Sequence, residues 1–311
     1  MKLAVSGYGE NIECLTLVDI DTNNKRLNKL DSLMLNQASF VISYQDKEKT
    51  YVITYTKKPL KLISYYISDN KLVKIDEQEV PYESLTHLMM NKDNSRLYAC
   101  SYKDGMILYV DIEDGHFSNI YYSDKKGISL CHCVISFEEE KEIGIIDIKN
   151  DDINIYDLNL EYKRSVKINK GAGPRHGIYY NNKLYLVTEY SNEVFVIDYK
   201  TGKTIQVIST LSDINNKSYG ATLFIKDNRL YASNRGEDNI VVFDMDKDGL
   251  LNVNHWFSCF GKHPRHMILS SDKKYIISCN KDTNNIVVID LEKEEEVLSF
   301  DYYMPAGVCN I

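Results

Sequence analysis

The segment "RLYASNRGEDNIVVFDM" (residues 229–245) decides the fold, because the chain repeats it. The segment joins an apolar run, a polar patch rich in Asn and Asp, and an alternating run that ends near an aspartate. Its clearest copies are "RLYACSYKDGMILYVDI" (96–112), "KLYLVTEYSNEVFVIDY" (183–199) and "YIISCNKDTNNIVVIDL" (275–291). Weaker copies occupy residues 2–20, 50–67 and 142–158.

The spacing of the seven copies predicts a β-propeller. Successive copies start roughly 40 to 50 residues apart, the period of one four-stranded blade. Ile240, Val242 and Asp244 alternate with Val241, Phe243 and Met245, a period of two that indicates strands rather than helices. We therefore expect one all-β domain over residues 1–311, a seven-bladed β-propeller of four-stranded antiparallel blades. Because the first copy begins at residue 2, strands from the two termini should pair and close the ring.

Composition narrows the class of function. The 311 residues are 43% hydrophobic, and 37 basic against 45 acidic side chains give a net charge of −8. This balance argues against nucleic acid or an anionic membrane as a partner. No apolar stretch approaches the roughly 18 residues of a membrane span, and no signal-peptide pattern opens the chain. The sequence thus predicts a cytoplasmic protein that acts on a small molecule.

The cysteines predict neither a disulfide framework nor a metal centre. Seven is an odd number, and most of the cysteines lie in apolar runs, which is typical of reduced core thiols. Cys131 and Cys133 flank His132, a spacing that could suggest a metal ligand set. Since no second Cys/His cluster follows, we expect no bound metal.

Two positions of the repeat carry unusual side chains. A short run precedes most copies and should form the innermost strand of each blade, and four of these runs begin with histidine. In two of them an arginine precedes the histidine, in "GPRH" (173–176) and "HPRH" (263–266). The ends of the following strands form a second row. Loops at these two positions lie on the same propeller face, so both rows should meet at one end of the central channel. The converging residues are His87, His132, Arg175, His176, Glu189, Arg235, Arg265, His266 and Lys281, with Tyr8, Tyr55 and Tyr102 as walls.

A purely structural role competes with a ligand site for several of these residues. Histidines at strand starts can hydrogen-bond neighbouring loops, tyrosines can simply pack, and Arg265 and Lys281 could be solvated rim charges. Arg175 and Arg235 favour a ligand, because cations crowded near a channel need anions to offset their desolvation. The sequence therefore favours a pocket for an anionic small molecule.

Three segments resemble the lactonase family of seven-bladed propellers, which includes bacterial 6-phosphogluconolactonases and fungal carboxymuconate cyclases. They are "GAGPRHGIYYNNKLYLVTEYSNEVFVIDY" (171–199), "RLYASNRGEDNIVVFDM" (229–245) and "GKHPRHMILSSDKKYIISCNKDTNNIVVIDL" (261–291). The resemblance implies a catalytic cleft made of a histidine, two arginines and a glutamate, which fall on His132, Arg175, Glu189 and Arg235. Many members carry His-x-His where this chain has Leu130-Cys131-His132.

The resemblance also implies a reaction. We expect hydrolysis of 6-phosphogluconolactone, a step of the pentose phosphate pathway, by a metal-independent lactonase without a cofactor. Arg175 and Arg235 would stabilise the oxyanion, and Glu189 or His132 would act as the general base. Arg265, His266 and Lys281 would bind the phosphate, with His87 and His176 also in the substrate site.

Two other functions stay open at this point. The first is a cyclase or hydrolase for another carboxylated lactone, since the same arginines would bind any carboxylate. The second is a non-catalytic propeller that binds a metabolite or a protein, because a fold by itself carries no function.

Overall fold

The computed structural model describes residues 1–123, 130–137 and 141–311. Within these ranges the chain forms 28 strands and no helix. The strands group into seven four-stranded sheets, so the predicted seven-bladed β-propeller is confirmed. None of the described residues forms a helix long and apolar enough to cross a membrane.

The strands follow one another around the ring. The first four blades use β1 (Lys2–Gly7), β2 (Ile12–Asp21), β3 (Arg26–Leu35), β4 (Val41–Asp46), β5 (Lys49–Thr56), β6 (Lys61–Ser68), β7 (Lys71–Glu79), β8 (His87–Met90), β9 (Arg96–Cys100), β10 (Ile107–Glu113), β11 (His116–Ser123), β12 (Cys131–Phe137), β13 (Glu142–Asp147), β14 (Asp152–Asp157) and β15 (Tyr162–Lys167). The other three use β16 (Pro174–Tyr180), β17 (Lys183–Thr188), β18 (Glu193–Asp198), β19 (Thr204–Ser209), β20 (Tyr219–Lys226), β21 (Arg229–Arg235), β22 (Asn239–Met245), β23 (Leu251–Ser258), β24 (Pro264–Leu269), β25 (Tyr275–Asn280), β26 (Asn285–Asp290) and β27 (Glu295–Asp301). The last strand, β28 (Pro305–Asn310), returns to the first blade.

The two ends of the chain close the ring, as expected from the position of the first repeat. Strand β28 pairs antiparallel with β1, with Leu3 opposite Asn310 and Val5 opposite Val308. The first sheet has the order β28-β1-β2-β3, so the C-terminal segment supplies its innermost strand. Closure thus depends on contacts between residues some 300 positions apart in sequence.

The hydrophobic core lies between neighbouring blades. In β22, Ile240, Val241, Val242 and Phe243 are all fully buried, because a middle strand is covered by a blade on each side. Side chains of β17 pack against those of β21 and β22 in one cluster. Each such large apolar side chain contributes about 1.5 to 3 kcal/mol on burial. The outermost strands are exposed on one face, which explains the polar residues that interrupt them.

The aspartates near the end of the repeats stabilise tight turns. Asp198 Oδ1 accepts a hydrogen bond from the Thr201 backbone N–H at 2.8 Å. Asp290 Oδ1 accepts in the same way from Glu292 and Lys293, at 3.0 and 2.9 Å. An aspartate carboxylate that satisfies nearby backbone donors is a frequent turn device. The repeated aspartate therefore has a structural role at these turns.

Three innermost strands begin with a β-bulge. In β16, Pro174 lies opposite Thr188 and His176 lies opposite Val187, so Arg175 has no partner residue on β17. The register shifts at the same place in β12 and β24. A bulge inserts one residue into a strand and redirects its side chain. The residues at the three bulged positions are His132, Arg175 and Arg265.

Candidate active site

A cavity of about 300 Å³ lies where the entry loops of the innermost strands meet the ends of the second strands. This volume is near the lower end of the range for small-molecule sites, roughly 300 to 1,000 Å³. His132, Glu189, Arg235 and Arg265 line the cavity, so residues from four different blades meet there. The tyrosines expected as walls, Tyr8, Tyr55 and Tyr102, also line the cavity, as do Lys57, Ser84, Thr86 and Lys103.

Glu189 bridges two arginines with a single oxygen. Its Oε2 lies 3.0 Å from Nη2 of Arg235 and 3.1 Å from Nε of Arg175. The Arg175 N–H is not directed at that oxygen, so this contact is an ion pair without hydrogen-bond geometry. Arg175 is 1% exposed and lies beneath Glu189 rather than in the cavity wall. The structure thus brings together the three residues on which the sequence hypothesis depends.

Backbone carbonyls of β20 hold both guanidinium groups. Arg235 donates from Nε to the Tyr219 carbonyl at 3.3 Å and from Nη2 to the Gly220 carbonyl at 2.9 Å. Arg175 donates from Nη1 to the next carbonyl, that of Ala221. Carbonyl dipoles offset part of the cost of burying a cation. Three consecutive residues of one strand therefore fix the two arginines in place.

A short loop positions Glu189. The Glu189 backbone N–H donates to the Gly173 carbonyl at 2.7 Å, directly after β17 ends. The Asp151 carboxylate in turn accepts from the backbone N–H groups of Gly171 and Gly173, both at 2.7 Å. Gly173 has φ +67 and lies against the Tyr190 ring, so a side chain would be strained there. Asp151 therefore acts on Glu189 through this loop.

The charges of the three residues are strongly coupled. Burial raises the pKa of Glu189, but Arg235 and Arg175 outweigh burial and hold that pKa below its usual value. Burial lowers the pKa of Arg175 well below its usual range, and nearby Arg235 and Arg265 lower it further, while Glu189 raises it. The carboxylate is therefore ionised at neutral pH, and the arginines depend on it for charge compensation.

Four histidines cluster beside this site, with their rings tilted or edge-on to one another. The His176 ring centroid lies 5.1 Å from that of His132, 5.4 Å from that of His87 and 6.3 Å from that of His266. Burial is the main cause that lowers the pKa of each, to about 3 for His87 and His266. All four rings are therefore neutral at pH 7. Only His132 of the four lines the cavity, and its buried Nδ1 has no hydrogen-bond partner in the described part of the chain.

One cluster has donor types that could hold a metal ion. The ligating atoms of His87, Cys133 and His176 lie within 4.8 Å of one another. Burial raises the pKa of the Cys133 thiol to about 12, so it is protonated at neutral pH. The Val134 N–H donates to Nδ1 of His87 at 3.4 Å, which leaves the proton of the neutral ring on Nε2, the nitrogen facing Cys133. A metal ion bound here would have to displace the thiol proton and this ring proton, since ligating sulfur and nitrogen atoms are unprotonated.

Some residues expected in the substrate site lie outside the cavity. His87, His176 and His266 contact one another deeper in the channel, and Lys281 lies on a neighbouring groove where its Nζ is 3.3 Å from Asp282. Asp147, a further carboxylate near these strand ends, accepts hydrogen bonds from the Lys149 and Asn150 backbone in a turn.

Sequence reasoning missed several lining residues. Ser84 sits in a loop outside the seven copies, and Lys57 lies in a weaker copy at a position with no recurring residue type. Thr86 occupies the same position before an innermost strand as Arg175 and Arg265. A threonine there does not by itself indicate a ligand site.

Comparison with known proteins agrees with the fold. A model of the family described as lactonase, seven-bladed β-propeller, matches residues 2–309. The chain belongs to this lactonase family. The resemblance inferred from the repeated segments is therefore confirmed.

Two relatives of this chain are named 6-phosphogluconolactonase. A 6-phosphogluconolactonase from Bacillus subtilis is 24% identical over 302 residues, which cover 89% of this chain and 86% of that protein. A 6-phosphogluconolactonase from Klebsiella pneumoniae is also 24% identical, over 80% of each chain. At this identity the relatives support a lactonase-type hydrolase without fixing its substrate.

Solved structures resemble the whole propeller. A protein from Lactobacillus plantarum superposes with a TM-score of 0.88 at 18% identity, covering 99% of both chains. A periplasmic gluconolactonase from Pseudomonas aeruginosa superposes with a TM-score of 0.86 at 18% identity, covering 99% of this chain and 98% of the other. These similarities concern the fold.

Proposed function

We propose that this lactonase-family protein hydrolyses 6-phosphogluconolactone to 6-phosphogluconate. The observation that carries the proposal is the Glu189 carboxylate bridging Arg175 and Arg235 at the wall of a small cavity. Such a site offers a base and a cation within reach of one carbonyl group. The relatives named 6-phosphogluconolactonase support this substrate over other lactones.

Arg235 stabilises the oxyanion in this mechanism. Its Nε and Nη2 are occupied by β20 carbonyls and Glu189, which leaves Nη1 without a hydrogen bond among the described residues. That nitrogen donates to the lactone carbonyl oxygen as negative charge develops on it. The guanidinium is held rigidly before the substrate arrives, so it needs little reorganisation. Removing one such donor typically costs about a hundred- to a thousand-fold in rate.

Glu189 is the general base. Its Oε2 is held by the two arginines, whereas Oε1 has neither an ion pair nor a hydrogen bond in residues 1–123, 130–137 and 141–311. Oε1 accepts a proton from water as the water oxygen attacks the carbonyl carbon. The tetrahedral intermediate then collapses, the ring C–O bond breaks, and the protonated Glu189 returns the proton to the leaving oxygen. Because the carboxylate is regenerated, the cycle consumes one water and releases an acid.

His132 contributes an acceptor rather than a charge. Its ring is neutral, buried and in contact with the cavity, and Nδ1 is unpartnered in the described part of the chain. Nδ1 can therefore accept a hydrogen bond from a substrate hydroxyl. We assign it to substrate orientation.

The test is a lactonase assay. Purified protein should hydrolyse 6-phosphogluconolactone well above the spontaneous rate, followed as acid release, and EDTA should leave the rate unchanged. Glu189→Ala and Arg175→Ala should reduce that rate at least a hundred-fold. Activity that survives both substitutions would refute the assignment, and loss of wild-type activity in EDTA would refute the metal-independent mechanism.

A further inference from the structure

The cavity holds two cations that its carboxylate does not balance. The Lys57 ammonium lies 5.6 Å and the Arg265 guanidinium carbon 5.0 Å from the centroid of the Tyr8 ring, so both cations flank one aromatic side chain. Neither makes an ion pair within the described ranges. Lys103, also at the cavity, differs because its Nζ lies 2.9 Å from Glu83. Lys57 and Arg265 therefore form a local excess of positive charge in a protein whose net charge is −8.

The surroundings of Lys57 destabilise its positive charge. Burial lowers the pKa of Lys57, and the nearby cations Arg265, Lys103 and Lys58 lower it further. An anion between Lys57 and Arg265 would oppose both effects. Binding of an anion there would therefore stabilise the charged form of Lys57.

Two buried hydroxyl groups of the same cavity lining lack partners among the described residues. Ser84 Oγ and Thr86 Oγ1 are shielded from water and make no hydrogen bond in the part of the chain that the structure describes. Both line the cavity from the loop that enters β8, and Ser84 is 4% exposed. Arg265 Nε is likewise buried and unpartnered. Buried polar groups are satisfied in most native structures, and a ligand is one explanation when they are not.

We propose that Lys57, Ser84, Thr86 and Arg265 form a subsite for a phosphate monoester. The inference deepens the proposed function, because it assigns one end of the same cavity to the phosphate and the other to the lactone carbonyl. A phosphate monoester is largely dianionic at neutral pH and offers three acceptor oxygens. The four side chains supply two positive charges and two hydroxyl donors, which match that charge and acceptor set. This assignment replaces the sequence expectation that His266 and Lys281 bind the phosphate.

The first experiment measures binding without turnover. Isothermal titration calorimetry compares 6-phosphogluconate, gluconate and inorganic phosphate on the wild-type protein. We expect 6-phosphogluconate to bind at least about a hundred-fold more tightly than gluconate, and inorganic phosphate to compete with it. Equal affinity for the two sugar acids would overturn the subsite.

The second experiment uses substitutions whose effects on binding and stability differ in sign. Lys57→Met should weaken 6-phosphogluconate binding about ten- to a hundred-fold, since charge-assisted hydrogen bonds are the strong ones. The same substitution should raise the melting temperature of the free protein, because it removes a poorly compensated charge. Ser84→Ala should also weaken binding without destabilising the free protein. Lys247→Met is the matched control, since Lys247 is exposed and does not line the cavity.

The outcomes separate this inference from the lactonase assignment. Lys57-dependent phosphate binding by a protein that hydrolyses no lactone would support the subsite and refute the proposed function. Glu189-dependent hydrolysis with equal kcat/KM for 6-phosphogluconolactone and gluconolactone would support the lactonase assignment and refute the subsite. A Lys57→Met protein that is less stable yet binds 6-phosphogluconate normally would also overturn the subsite.

Discussion

Arg235 and Glu189 come from neighbouring blades, yet Nη2 of the arginine lies 3.0 Å from Oε2 of the carboxylate. The first prediction follows from this pair. Glu189→Gln removes the base and leaves two buried arginines without their counterion. We expect kcat to fall about a hundred- to ten-thousand-fold, and the free energy of unfolding to drop by about 3 to 5 kcal/mol, as when one partner of a buried ion pair is removed. Urea denaturation and acid release measure the two effects.

A matched control for Glu189→Gln is Glu193→Gln. Glu193 begins the next strand of the same blade, does not line the cavity and makes no ion pair within the described residues. Glu193→Gln should leave kcat and the free energy of unfolding nearly unchanged. A Glu189→Gln protein with wild-type activity would disprove the role of the carboxylate as base.

The second prediction concerns the shape of the Arg235 side chain. Arg235→Lys keeps the charge but cannot reproduce bonds from Nε and Nη2 to two carbonyls while also contacting Glu189. We expect kcat/KM to fall at least about a hundred-fold. Arg229→Lys on the same strand serves as the control, because Arg229 pairs with Asp244 at the surface. Near-normal activity of Arg235→Lys would show that charge alone suffices there.

The repeat predicted the fold because its apolar runs are the segments that are buried between blades. The run Ile240 to Phe243 has to be apolar on both faces of its strand, and the same requirement recurs in each blade. Ring closure was predicted from one further observation, that the first copy begins at residue 2. These features depend on local patterns, which a single sequence contains.

The sequence predicted part of the candidate site, and physical reasons explain why it did not predict the rest. Arg175, Glu189 and Arg235 were found together because their side chains stand out at repeat positions. The carbonyls of Tyr219 and Gly220 that hold Arg235 have no signature, since every residue has a carbonyl group. The β-bulge at Arg175 was also invisible, because a register shift depends on both paired strands. A sequence pattern places residues at a channel end but does not decide their depth, as His87 and His176 illustrate.

The third prediction tests the carbonyls that hold the arginines. A Cβ at Gly220 would lie 2.3 Å from the Thr188 carbonyl oxygen, which is backbone and cannot move aside alone. Gly220→Ala should therefore displace β20, lower the free energy of unfolding by about 1 to 3 kcal/mol, and reduce kcat/KM. Gly202→Ala, at φ +68 in a turn that does not line the cavity, should cost about 1 to 2 kcal/mol of stability with kcat/KM unchanged. Equal activity of the two variants would contradict a role for β20 in positioning Arg235.

The fourth prediction is a loss of stability in mild acid caused by the channel histidines. Burial lowers the pKa of His87 and His266 to about 3, and it lowers the pKa values of His132 and His176 well below their usual range. The unfolded chain binds protons near pH 6.5, whereas the folded protein does not. Stability is therefore complete above that pH and falls as pH decreases toward the folded-state values.

The pH range of this acid effect distinguishes the histidines from Glu189. Each histidine contributes up to about 1.4 kcal/mol per pH unit below 6.5. The low pKa of Glu189 confines its effect to more acidic solutions, so urea unfolding between pH 7.5 and 5 isolates the histidines. Replacing His87 by Gln should reduce the proton uptake on unfolding by about one. A free energy of unfolding that stays constant from pH 7.5 to 5 would contradict the prediction, because it would show that the four rings titrate in the folded channel as they do in the unfolded chain.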